Sequence, residues 1–142
     1  MFERYYIERF SEFCGAPPKP DEGLGDDVVR AELARRGLTI PTSLFDYYSL
    51  AGRHWINENH DRLRPIEKVE LMDDKLVFLD ENQEVCFWGI DRSDLERADP
   101  VVWRGINSQP IEWRSENQHL SRFLMALWHW NVTGEWDEPG AE

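Results

Sequence analysis

Two short apolar runs, LVFL at 76–79 and VCFWGI at 85–90, meet at a polar corner, Asp80-Glu81-Asn82-Gln83. No other stretch limits the possible folds as much. Each run is four to six residues long and rich in β-branched and aromatic types, which favours strand over helix. In the second run Val85 and Phe87 would point to one side of a sheet, and Cys86, Trp88 and Ile90 to the other. Both sides are apolar, so the pair reads as central strands covered on both faces rather than as a half-solvated edge. In the corner, the side-chain amides of Asn82 and Gln83 are expected to satisfy turn backbone.

The flanking sequence supplies the remaining elements. Phe2, Tyr6, Phe10 and Phe13 recur at three or four residues, the spacing of one helical face, and predict a helix over residues 1–13. The proline- and glycine-rich stretch from Gly15 to Gly25 interrupts it and reads as a loop. A second helix is expected from an Asp26 or Asp27 cap to Gly37, with Val29, Leu33 and Ala34 inward. A third runs from Pro41, with Leu44, Phe45, Tyr48 and Ala51 inward and Gly52 as its stop. Residues 53–64 are polar and show no periodicity. Val69 and Leu71 precede an Asp73-Asp74 turn that predicts a hairpin into the central strands. Pro100–Arg104 reads as a strand that begins on a proline, and Ile111-Glu112-Trp113 as a further short one. Ser115 with Gln118 three residues on forms a capping-box pattern. It predicts a last helix starting there, with Leu120, Phe123, Leu124, Leu127 and Trp128 on its apolar face. Helices, then antiparallel strands, then one closing helix predict an α+β fold with that helix packed on the sheet. Residues 1–134 are expected to form a single domain, and the acid-rich residues 135–142 a mobile tail.

Charge narrows the function classes. The 142 residues carry a formal net charge of -12, and 41% are apolar, including seven Trp, a content that argues against disorder. Such an excess of acid repels phosphate backbones, and the densest basic pair, Arg35-Arg36, is flanked by acids; direct binding of nucleic acid is not expected. A basic protein partner suits the charge better. The charged FERYYIERF after Met1 lacks the apolar core of a signal peptide, and the longest nearly apolar run, 123–130, is far below the ~20 residues that cross a bilayer. With Cys14 and Cys86 as the sole cysteines, the expectation is a cytoplasmic protein with reduced thiols.

No pattern of catalytic or metal-binding residues emerges. His54, His60, His119 and His129 are isolated, with no HExxH and no Cys/His pair at ligand spacing. There is no G-x-S-x-G, and Cys86 on a doubly covered strand lacks the setting of a reactive thiolate. GLGDD at 23–27 lacks the preceding strand and the Lys-Ser/Thr of a phosphate loop. Carboxylates crowd the strand ends, as expected of polar loops in a chain with 28 acids. Seven Trp are compatible with a carbohydrate platform, but Trp88, Trp103, Trp113 and Trp128 fall at core-facing positions, which leaves Trp55 and Trp136 for exposed contact.

Six pieces in order carry a resemblance: IPTSLFDYYSLAG, LRPIEKVEL, LVFLDENQEVCFWGI, DPVVW, an aromatic-bearing strand and LSRFL. Together they resemble the SUKH superfamily, the Smi/Knr-like proteins, over residues 38–130. Ile40-Pro41 stands for that family's helix opening, Glu81-Asn82-Gln83 with Trp88-Gly89 for its strand corner, and Asp99-Pro100-Val101-Val102 for its acid-proline segment. Glu84 departs from the usual glycine, and Ala98 from the usual first acid. The resemblance implies an α+β domain without a catalytic centre, cofactor or metal. It also implies a bacterial immunity protein that neutralises a cognate polymorphic toxin, or alternatively a regulatory adaptor in cell-envelope or signalling work. The partner would be a basic, nuclease-like toxin, met by the acidic loop residues Asp73, Asp74, Asp91, Asp94 and Glu96. A monomer is expected.

Overall fold

The two central apolar runs form the middle of a six-stranded sheet in the computed structural model, which describes residues 1–136. The expected mobile tail lies, from residue 137 onward, outside the described residues. Three helices come first: α1 (Glu3–Cys14), α2 (Asp26–Arg36) and α3 (Thr42–Ala51). The strands follow: β1 (Arg62–Leu63), β2 (Glu70–Met72), β3 (Lys75–Asp80), β4 (Cys86–Asp91), β5 (Val101–Ile106) and β6 (Glu112–His119). Helix α4 (Leu120–Thr133) closes the described chain. Every strand pairing is antiparallel, in the order β1-β3-β4-β5-β6, and the short β1 and β2 share one edge of β3. The architecture is α+β, and no helix among the described residues is long and apolar enough to cross a membrane.

Alternation along β4 assigns the two faces of the sheet. Trp88 meets Phe123 of α4 at 5.8 Å between ring centroids, so Cys86, Trp88 and Ile90 face the helices. Phe87 points the other way and meets Trp113 edge-on at 5.5 Å across the side-chain-free Gly105. Continuous apolar sequence therefore buries β3 and β4 from both sides, as their composition predicts. Val85, by contrast, precedes β4 and is exposed. Trp103 and Trp113 are half-buried on the face away from the helices, with the Lys75 ammonium over both rings at 5.2 and 5.4 Å. The expectation that both indoles enter the core fails: Trp113 itself covers Phe87 on that face, and both indoles stay half-buried at its surface.

The helical layer is held by aromatic contacts and by one buried polar chain. Tyr6 of α1 packs perpendicular to Tyr47 of α3, with centroids 5.5 Å apart, and Phe10 lies 6.2 Å from Tyr47. The Trp128 indole N–H donates to the Tyr47 hydroxyl (2.8 Å), which donates to Asn57 Oδ1 (2.5 Å); Asn57 Nδ2 in turn donates to the Ala51 carbonyl (2.8 Å). The polar segment 53–64, which has no periodicity to read, thus supplies core: His54, Ile56, Asn57 and Asp61 are buried. In α2 only Val29 is buried, Ala34 is exposed, and Gly25 takes the cap position expected of Asp26 or Asp27.

The start of α4 corrects the sequence reading most. Ser115–His119 do not open a helix; they extend β6, paired with β5 through Trp103–Ser115 and Val101–His119. The cap comes from 22 residues upstream: Ser121 N and Oγ donate to the two Asp99 carboxylate oxygens, at 2.9 and 2.7 Å. The Leu120 amide donates to the Pro100 carbonyl (2.8 Å). A long-range cap and a paired ladder override the local Ser-x-x-Gln pattern.

The β2–β3 hairpin turns on Asp73 (φ 51°) and Asp74 (φ 63°), the left-handed pair of a type I′ turn. Each non-glycine residue there costs about 1–2 kcal/mol relative to right-handed backbone, and Asn-Gly is the preferred pair. The double substitution Asp73→Asn, Asp74→Gly is therefore expected to raise stability by about 1 kcal/mol, read from the urea midpoint at unchanged m-value. The exposed contact between Asp74 and Arg92 (3.7 Å) that it removes contributes little.

Candidate functional site

The five acids singled out in the sequence gather at one end of the sheet. Asp73 and Asp74 form the β2–β3 turn, and the Asp74 carbonyl accepts from the Arg92 amide (2.8 Å), docking that turn against the 3-10 turn Arg92–Asp94. Asp91 ends β4 opposite Lys75 in register, and Glu96 follows within the same connection. Their charge is partly spent locally. Asp91 pairs with Lys75 Nζ at 3.0 Å, Asp94 with Arg97 at 3.1 Å, and Asp74 faces Arg92. Hydrogen bonds from Ser93, with the Lys75 ammonium beside it, hold Asp91 below the usual carboxylate range. Asp73 and Glu96 are exposed and have no ion-pair partner among the described residues.

A second site, less legible in the sequence, forms where the strand corner meets α4. A cavity of about 330 Å³ is lined by the indoles of Trp88, Trp130 and Trp136 and by the side chain of Leu127. His60, Asp61, Glu81 and Asn82 supply its polar lining. Trp130 and Trp136 are 41% and 42% exposed, whereas Asp61 is 3% exposed; the cavity thus runs from a half-open aromatic entrance to a buried carboxylate. Backbone N–H donors hold both carboxylates. The Asn82 amide donates to Asp61 Oδ1 (3.1 Å), and the Val85 amide donates to Glu81 Oε1 (3.0 Å). The Trp88 indole N–H donates to Glu116 Oε2 (2.7 Å), and the His60 ring meets Trp130 edge-on at 5.8 Å. Burial raises Asp61 above the usual carboxylate range, because its charge is desolvated with one backbone N–H as its hydrogen-bond donor.

The corner therefore does more than turn the chain. Its backbone and Glu81 make the hydrogen bonds expected of the Asn82 and Gln83 amides, and Glu81 and Asn82 line the cavity. Trp136 lies in the site as an exposed aromatic, as expected; Trp55 is exposed elsewhere, and Trp130 was not marked by any spacing.

Neither thiol is set up for nucleophilic chemistry. Burial pushes Cys86 up to about 11 and Cys14 likewise. Among the described residues no group of three His, Cys, Asp or Glu side chains is arranged to hold a metal ion. No family model, no curated protein and no solved structure matches the chain.

Proposed function

We propose that the chain is a SUKH-type immunity protein, cytoplasmic and non-catalytic, that binds a basic, nuclease-like toxin domain and neutralises it by occlusion. The observation that carries this reading is the convergence of Asp73, Asp74, Asp91, Asp94 and Glu96 on one end of the sheet of a chain with net charge -12. The order of the six sequence pieces and the α+β architecture are in keeping with it. A surface of this sign repels nucleic acid and attracts a protein that must itself hold phosphates.

The direct test is capture of the partner from native cells, followed by rescue of cells that express the captured protein. Rescue supports immunity; a captured partner that harms no cell overturns it in favour of an adaptor. Charge enters through the association rate. Between about 0.05 and 0.5 M salt the on-rate is expected to fall by about tenfold or more, because screening shortens the reach of the acidic face to a few ångströms. Lysine at Asp73 and Glu96, the two acids without a local ion pair, is expected to slow association with little change in dissociation. An on-rate that ignores salt would remove the acidic face from the proposal.

A further inference from the structure

The aromatic cavity has no part in the acidic face, and its chemistry is more selective. We infer that it seats a basic side chain of the partner protein, arginine in particular, between the Trp130 and Trp136 indoles and the carboxylates of Asp61 and Glu81. This inference rests on the reading of a basic protein partner.

Four observations carry it. The volume, about 330 Å³, stands near the lower end of the ~300–1,000 Å³ range of small-molecule sites, suited to one long side chain. Indole faces attract cations, and most strongly when water is displaced from them. The two carboxylates are fixed by backbone N–H donors through one oxygen each, and the second oxygen of each accepts no hydrogen bond among the described residues. That leaves acceptor positions for incoming donors at the buried end, with no lysine or arginine among the lining residues to occupy them. A guanidinium meets both demands at once: its flat face stacks on indole while its edge donates to carboxylate. An ammonium satisfies the charge but not the stacking, so lysine should bind more weakly. An anion would meet Asp61 and Glu81 unpaired.

The experiment titrates the protein with the peptide acetyl-Gly-Arg-Gly-amide and follows the indole N–H resonances of Trp88, Trp130 and Trp136. Expected are saturable shifts of those three resonances, with at least tenfold weaker binding for the citrulline peptide, which keeps the shape and loses the charge. Asp61→Asn should weaken the arginine peptide by tenfold or more. Trp130→Ala, at an exposed position that leaves the core intact, should do the same and keeps the test open if Asp61→Asn fails to fold. Equal binding of the citrulline peptide or of N-acetylglucosamine, or shifts that never saturate at these indoles, overturns the inference. The two proposals fail separately. If Trp130→Ala and Asp61→Asn neutralise the captured toxin with unchanged affinity, the cavity is wrong and immunity stands. If the cavity binds the arginine peptide but the protein rescues no cell, immunity is wrong and the cavity stands.

Discussion

Trp128→Ala is expected to lower stability by about 4 kcal/mol, within the usual 3–5 kcal/mol for emptying a buried tryptophan site. The indole is fully buried where α4 meets α3, and it is among the largest enclosed side chains. Two losses combine. The vacated volume cannot collapse easily, because Tyr47, the direct partner of the indole, is locked by ring contacts with Tyr6 and Phe10. The Tyr47 hydroxyl also loses its 2.8 Å donor inside a chain that continues to Asn57 and Ala51. Against a typical total of roughly 5–15 kcal/mol, such a loss leaves a partly unfolded population near physiological temperature. Trp128→Phe separates the two parts: it refills most of the volume and removes only the donor, so a cost of about 1–3 kcal/mol is expected. Thermal unfolding followed by circular dichroism reads both. A Trp128→Ala variant within 1 kcal/mol of the parent would show that the polar chain and its packing do not hold the helical layer together.

How much of this was readable in the sequence depends on whether a residue's partners are near it in the chain. β3 and β4 were legible because burial on both faces writes a continuous apolar run. The hairpin turn was legible because Asp tolerates left-handed backbone better than most residues. Ser115–Gln118 misled because a capping box is a local pattern, whereas the residues that decide its fate, Asp99 and the β5 ladder, lie well upstream. His54, Asn57 and Asp61 were invisible for a related reason. Each is a polar residue made core by a hydrogen bond or ring contact that no periodicity encodes. The cavity assembles from four separate stretches: residues 60–61, the corner at 81–82, Trp88, and one end of α4 with Trp136 beyond it. The corner and Trp136 could be flagged singly, but their convergence is a property of the fold. The acidic end of the sheet was half legible: its membership follows from strand ends, while its neutralisation by Lys75, Arg92 and Arg97 does not.

Gly23→Ala is expected to be nearly as damaging as the loss of Trp128, for the opposite reason. GLGDD reads at first as a fragment of a phosphate loop, but in the structure its first glycine is a point of close backbone approach. A Cβ at Gly23 would fall 2.2 Å from the Ser49 carbonyl oxygen and 2.6 Å from that of Leu50. Both atoms belong to the last turn of α3, where carbonyls lack intrahelical partners. The loop around Gly23 supplies partners: the Leu24 and Gly25 amides donate to the Tyr48 and Ser49 carbonyls at 3.1 and 3.0 Å, and Arg53 N donates to the Glu22 carbonyl at 2.7 Å. Neither side can retreat without breaking those bonds, so the methyl group must prise the loop from the helix end. A cost of about 3 kcal/mol is expected, at the upper end for overpacking because the obstacle is backbone rather than a movable side chain. Gly15→Ala provides the contrast. Its φ of 79° disfavours alanine, yet nothing lies within 4 Å of the added Cβ, and a cost of about 1–2 kcal/mol is expected from conformation alone. Hydrogen exchange separates the two mechanisms. Gly23→Ala should strip protection from the Leu24, Gly25 and Arg53 amides before global unfolding, whereas Gly15→Ala should leave it in place. If Gly23→Ala kept those amides protected and cost less than Gly15→Ala, the close approach of this loop to α3 would be refuted.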